Sequence, residues 1–176
     1  MSAALTAKTP AGMVVIAPEV YRNLQQYRQT GRKHETGGAL AGYKADDNTW
    51  IICSLMHPSL ANKSGRTWLE RDLSAAQEFA TRVNRQSEGQ LTYIGEWHTH
   101  PDKFPTPSGA DIGMLSDILA GSRPLPEFIF GLILGIGGAI CLWYQDQSGR
   151  TEIYRLPRES AGKKAGRWLR RLVGRK

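Results

Sequence analysis

Apolar and polar positions change period several times along the chain, and each change marks an element. Met13 to Ala17 is a short apolar run that predicts a strand. Pro18 suits the first turn of a helix, and Val20, Leu24 and Tyr27 then recur at helical spacing up to Gly31. Gly37 to Tyr43 predicts a strand of small residues, with Asp46-Asp47-Asn48 turning into a second strand, Trp50 to Met56. Residues 57–71 carry Pro, Ser, Asn and Gly and predict a loop. Leu73, Ala76, Phe79, Ala80 and Val83 mark a helix. Leu91 to His98 predicts a strand, and Ser108 to Ala120 a helix with Ile112, Leu115 and Leu119 on its apolar side. Phe128 to Leu134 and Ala139 to Gln145 predict two buried strands, and a third, Thr151 to Leu156, follows the Ser148-Gly149 turn. Residues 1–12 read as a loose leader, 13–157 as one folded body and 158–176 as a tail.

Composition alters this picture at four points. A chain of 176 residues is about one domain's worth and long enough to bury a core without staples. The uncharged run Phe128 to Tyr144 is shorter than the roughly 20 residues of a membrane helix, and Gly137-Gly138 breaks it, so no membrane span is expected. The first ten residues hold no apolar core of a signal peptide. Cys53 and Cys141 lie far apart in apolar stretches and read as two buried thiols. Together these features point to a reducing cytoplasm.

The net charge of +7 is unevenly placed. Residues 158–176 hold eight Lys/Arg against one Glu, which leaves the rest of the chain with fifteen charges of each sign. The high pI therefore belongs to the tail and gives no reason for the fold itself to bind nucleic acid specifically. Trp168, Leu169, Leu172 and Val173 would share one side of a short basic helix there. Such helices bind anionic membranes, phosphate backbones or acidic partner surfaces, and a solvated terminus is the plain alternative.

The candidate chemistry is concentrated in Gly95-Glu96-Trp97-His98-Thr99-His100-Pro101 and in Thr106-Pro107-Ser108-Gly109-Ala110-Asp111. In an extended strand His98 and His100 share a face, while Trp97 and Thr99 point the other way, toward a core. Ser108 reads as a helix N-cap, which puts Asp111 at the third helical position, facing back toward the strand end. Two imidazoles and a carboxylate match a zinc site with three protein ligands and one open position. Glu96 has the parity to hold a ligand imidazole from behind, and a plain salt bridge or exposed position is an equal alternative. His34 and His57 fit no part of this pattern.

With Glu35 in Glu35-Thr36-Gly37-Gly38, these residues complete a spaced pattern: a distant Glu, His-x-His, seven residues, Ser, two residues, Asp. In this the chain resembles the JAMM metalloproteases, the MPN+ branch of the JAB/MPN domain family, over roughly residues 13–157. Thr99 stands where the family most often has Ser. The resemblance implies an α/β (α+β) chain with the MPN/JAB, cytidine-deaminase-like fold: a mixed central sheet flanked by helices. It implies one zinc held by His98, His100 and Asp111, Glu35 as general base, and Ser108 stabilising the tetrahedral intermediate, beside its capping role. Gly37-Gly38 would let a substrate backbone come close. The substrate implied is the bond after the C-terminal tail of a ubiquitin-like or otherwise conjugated protein, bound as an added strand. The wording around His98, the compact Gly121 to Glu127 segment and Trp68-Leu69-Glu70-Arg71-Asp72 resemble the bacterial branch. That branch implies E1/E2-like operon partners in antiphage defence, or instead trimming of a ubiquitin-fold sulfur carrier. An inactive MPN scaffold and a function led by the tail are the competing classes.

Overall fold

The computed structural model describes residues 4–122 and 126–156. One eight-stranded mixed sheet runs in the order β1-β2-β4-β3-β7-β8-β9-β10. Its strands are β1 (Leu5–Thr9), β2 (Gly12–Ile16), β3 (Gly37–Asp46), β4 (Thr49–Leu55), β7 (Thr92–Thr99), β8 (Phe128–Leu134), β9 (Ile140–Asp146) and β10 (Thr151–Leu156). β5 (Lys63–Ser64) and β6 (Leu69–Glu70) form a separate small hairpin. The helices are α1 (Pro18–Leu24), extended by one 3-10 turn over Gln25–Tyr27, α2 (Leu73–Gln86) and α3 (Gly109–Gly121). Pairings are antiparallel except β2 with β4 and β7 with β8.

Strict alternation gives the central strands two apolar faces. On β8, Phe130, Leu132 and Leu134 face the core under α1, while Ile129 and Ile133 face α3. β9 does the same: Ile140, Leu142 and Tyr144 lie on the α1 side, Cys141 and Trp143 on the α3 side. α1 contributes Val20, Tyr21 and Leu24 to the first core. α2 covers Ala39, Ala41 and Met56 with Phe79 and Val83. The sheet curls enough to bring β1 and β10 near one another, so Leu5, Ala7 and Leu156 close the α1 core from both edges. Gly131 in the middle of β8 has a packing reason: the indole of its cross-strand partner Trp143 occupies the place of a side chain.

Several expectations need correction. The residues read as a loose leader contribute β1, antiparallel to β2 with Leu5 opposite Ile16; Leu5, Ala7 and Thr9 point inward. Leu-Thr-Ala-Lys-Thr is too weakly apolar to announce itself, and pairing supplies what composition lacks. The first helix stops at Leu24, with a 3-10 turn in place of a run to Gly31. The loop over 57–71 holds the β5–β6 hairpin, tied down where Asn62 donates to Gly37 O at 3.2 Å and accepts from Asp72 N at 2.9 Å. Leu73 is exposed rather than on the apolar side of α2. Cys141 is buried, whereas Cys53 is only half-buried, and both are free thiols. Among the described residues no helix is long and apolar enough to cross a membrane. The tail at 158–176 lies outside the described residues.

Candidate metal centre

β7 carries Tyr93, Glu96 and His98 to the α2/α3 side because of an irregularity. Its pairing with β3 shifts register between Leu40 and Ala41, opposite Gly95 and Tyr93. Ile94 and Trp97 therefore face the α1 core, with the Trp97 indole N–H donating to Met56 O at 3.0 Å. Tyr93 packs on the α2/α3 side. Its hydroxyl donates to Glu96 at 2.5 Å. His98 follows on that face, 4% exposed, its ring edge-on to Trp143 with centroids 6.2 Å apart.

The strand ends at Thr99, and His100 and Asp111 complete a cluster. Nε2 of His98 stands 3.0 Å from Nε2 of His100 and 3.1 Å from Oδ1 of Asp111. Nε2 of His100 is 3.5 Å from Oδ2 of Asp111. Tetrahedral ligands about 2.0–2.2 Å from zinc stand roughly 3.3 Å from one another. The three donors therefore already have the spacing of a shared cation, and all lie within 4.8 Å of one another. Two ring nitrogens facing at 3.0 Å cannot both carry a proton, so at least one lone pair points into the cluster. Burial holds the His98 imidazole below its ordinary value, and Asp111 opposes that shift. Burial works against charge on His100 as well, but Asp111, Glu35 and Asp102 raise it overall. Burial would raise the Asp111 carboxyl, yet hydrogen bonds from His100, His98 and Ser108 hold it well below the usual carboxylate range. The donor set fits zinc or a similar cation.

Ser108 caps α3. Its hydroxyl accepts from Asp111 N at 3.2 Å and donates to Asp111 Oδ2 at 2.7 Å, while its own N–H donates to the same oxygen at 2.6 Å. This is a capping box with Asp in place of Glu, and it aims the carboxylate at the strand end. Glu35 arrives by extension of the β3–β7 pairing. Gly37 lies opposite His98, and Thr99 N donates to Thr36 O at 2.9 Å, so Glu35 falls beside His100. Its Oε1 stands 3.9 Å from His100 Nε2. Burial raises the Glu35 carboxyl to about 7, with His100 pulling it down and Asp111 and Asp102 adding to the rise.

All five singled-out residues line one cleft of about 420 Å³, walled on the far side by Thr67, Trp68 and Leu69 of the hairpin segment. Three features escaped the sequence. Thr99 accepts Thr36 N at 3.1 Å through its hydroxyl, which anchors the segment carrying Glu35. Glu96 takes the salt-bridge alternative and holds neither imidazole; what escaped the sequence is its partner, the cleft residue Arg71, in a buried ion pair. Burial raises the Glu96 carboxyl to about 7, with Arg71 and Tyr93 opposing. Nothing in the sequence marks the Arg71 pairing, because the two residues lie on unrelated segments. Finally, Gly37 and Gly38 have a packing reason of their own. A side chain on Gly37 would meet Trp97 O, His98 and Leu69, and one on Gly38 would meet Met56 and Trp97, so the protein's own elements occupy that space.

A mixed sheet flanked by three helices, with two imidazoles and a carboxylate gathered where parallel strands end, defines a class of domain with a candidate metal centre. The chain belongs to the family of prokaryotic homologs of the JAB domain, which residues 17–156 match. A CD-NTase/cGAS isopeptidase of Escherichia coli (strain TW11681) is 36% identical over 119 residues, 67% of this chain and 76% of that protein. A Vibrio cholerae protein of the same name is 31% identical over 100 residues, 56% of this chain and 64% of its own length. A probable metalloprotease of Sinorhizobium fredii is 34% identical over 86 residues, 48% of this chain and 52% of that one. These are names of hydrolases. A solved structure from Desulfitobacterium hafniense has a TM-score of 0.54 over 81% of this chain and 90% of that one; at 14% identity the likeness concerns the fold. The expected JAB/MPN-type architecture is therefore the one present.

Proposed function

We propose that this chain is a zinc-dependent isopeptidase. In this reading it hydrolyses the bond after the C-terminal tail of a ubiquitin-like or otherwise E1/E2-conjugated protein. One observation carries the reading: three ligand atoms converge at zinc-like spacing with a buried carboxylate beside them in an open cleft. The relatives named CD-NTase/cGAS isopeptidase favour conjugate removal in bacterial antiphage defence over sulfur-carrier trimming. A cytoplasmic setting beside E1/E2-like enzymes belongs to the same reading.

Held by His98, His100 and Asp111, zinc would polarise the scissile carbonyl and supply hydroxide at neutral pH. The chain's own groups do the rest. Glu35 takes a proton from the attacking water as its oxygen bonds to the carbonyl carbon. Glu35 then returns that proton to the departing lysine nitrogen as the C–N bond breaks. In this reading the Ser108 hydroxyl, which lines the cleft, turns from Asp111 to donate to the developing oxyanion; such a donor supplies about 3 kcal/mol. Arg71 and Trp68 border the channel along which an extended tail would lie. The test is metal analysis with hydrolysis of a ubiquitin-like fusion. One zinc per chain is expected, lost together with activity in His98→Ala; stoichiometric zinc in His98→Ala/His100→Ala would overturn the assignment.

A further inference from the structure

A second concavity lies at the same end of the sheet. It measures about 450 Å³ and sits between the loop after Pro101 and the ends of β9 and β10. Phe104, Pro105, Ile140 and Leu156, with Gly137 and Ala139, make it apolar, and two exposed cations, Lys103 and Arg155, flank them. Among the described residues no carboxylate lines it. Phe104 is 68% exposed, with Lys103 Nζ 5.5 Å from its ring centre. Here the open aromatic adjoins an apolar hollow flanked by two cations, so the exposed ring and the charges form one continuous surface. The loop that presents it is firmly seated. Ile136 N donates to Asp102 O at 2.9 Å, and a side chain on Gly135 would stand 2.6 Å from Asp102 O and 2.7 Å from Pro105. The pocket is thus formed in advance, on the loop that begins at His100. β7 and β10 are separated by β8 and β9, so at about 4.8 Å per strand the two sites lie roughly 15 Å apart.

We propose that this pocket docks an acidic segment of a partner protein that carries one large apolar side chain. The apolar group enters between Phe104 and Leu156, and flanking carboxylates meet Lys103 and Arg155. Charge selects this occupant. Two cations without a lining carboxylate repel a basic ligand, and the eight Lys/Arg of residues 158–176 follow directly after the pocket residue Leu156. The chain's own C-terminal segment therefore has the wrong sign to fill the pocket. This inference stands apart from the hydrolase reading, since it concerns binding alone.

The experiment is fluorescence anisotropy on the full chain with a fluorescein-labelled peptide bearing one Phe flanked on both sides by Asp and Glu. A second peptide carries Lys at the acidic positions. Saturable binding of the acidic peptide is expected, with amide shifts at Ala139 and Ile140. Lys103→Glu/Arg155→Glu should weaken it about tenfold, as two exposed attractions become repulsions. Lys103→Gln/Arg155→Gln should weaken it less and serves if the reversed pair does not fold. Raising salt from about 50 to about 500 mM should raise Kd, because exposed charges are screened. Zinc content should not change in either variant. No binding, equal binding of the Lys peptide, or binding unaltered by both variants would overturn the proposal. So would pocket amide signals in the free chain that move in Trp168→Ala/Leu172→Ala, since the chain's own end would then be the occupant.

Discussion

Glu35 shows how one carboxylate acquires a poised chemistry from its neighbours. Burial lifts its carboxyl to about 7, and the His100 imidazole 3.9 Å away draws it back. A base must be ionised to act, so hydrolysis should fall as pH drops through that pKa. A bound cation would pull the pKa lower still, which places the acid limb of kcat/KM at or below about 7. Glu35→Ala should keep fold and zinc, lose about 10²–10⁴ in kcat, and lose that limb from its residual profile. Wild-type turnover in this variant would remove Glu35 from its role. Arg71 and Glu96 make a second residue-scale case. Removing Arg71 leaves a carboxylate buried without its cation, a change that typically costs about 3–5 kcal/mol. The Glu96 carboxyl is raised on folding, so its contribution is most favourable below the ordinary carboxylate range and is lost as pH rises through about 7. Without Arg71 the rise is greater. Denaturant melts of Arg71→Ala should therefore show a larger deficit at high pH than at low pH; a pH-independent deficit would mean that Glu96 does not carry the effect.

At the scale of elements, β8 and β9 form the floor on which His98 rests. Gly131 exists for the Trp143 indole, and that indole meets the His98 ring. Gly131→Val should displace Trp143 and strain both strands, at a cost of about 1–3 kcal/mol. The displaced ring should also disturb His98, so zinc affinity should drop together with Tm; a melt shifted with unchanged zinc affinity would uncouple floor from site. α2 is held at its start by Asp72, whose side chain accepts from Ala75 N at 3.1 Å and from Ser59 at 2.7 Å. The backbone N–H of the same residue donates to Asn62 Oδ1 beside the β5–β6 hairpin, so one residue positions both a helix and the far wall of the cleft.

For the whole molecule, the centre draws on β7, α3 and the segment before β3, elements separated in sequence and joined only by the fold. A cation bridging them stabilises the native state by mass action. At a free zinc concentration about 100 times Kd the gain is about 2.7 kcal/mol. Chelation should therefore lower Tm in the wild type and leave the Tm of His98→Ala unchanged; equal sensitivity to chelator would deny the bridge. The charge distribution makes a further prediction. Residues 158–176 carry the whole net charge, so their removal should spare cleavage of a short fusion and weaken salt-sensitive binding of a large conjugate. Loss of short-fusion cleavage with fold and zinc intact would put that segment in the active site.

The sequence by itself determined what is periodic or local. Apolar and small-residue runs wrote the central strands, Ser108 announced the start of α3, and strand parity put His98 and His100 on one face with Trp97 on the other. Fixed spacing in a short stretch brought His98, His100 and Asp111 together as candidates, because a strand and a helix N-terminus are rigid over a few residues. Only the tertiary structure decided the rest. β1 became a strand through its partner and not its composition. The role of Glu96 was set by Arg71, which pairs with it from a separate loop. Gly37 and Gly38 make room for Leu69 and Met56, which come from distant segments. In each case the deciding contact joins distant segments, and a one-dimensional pattern carries no measure of the distance between them.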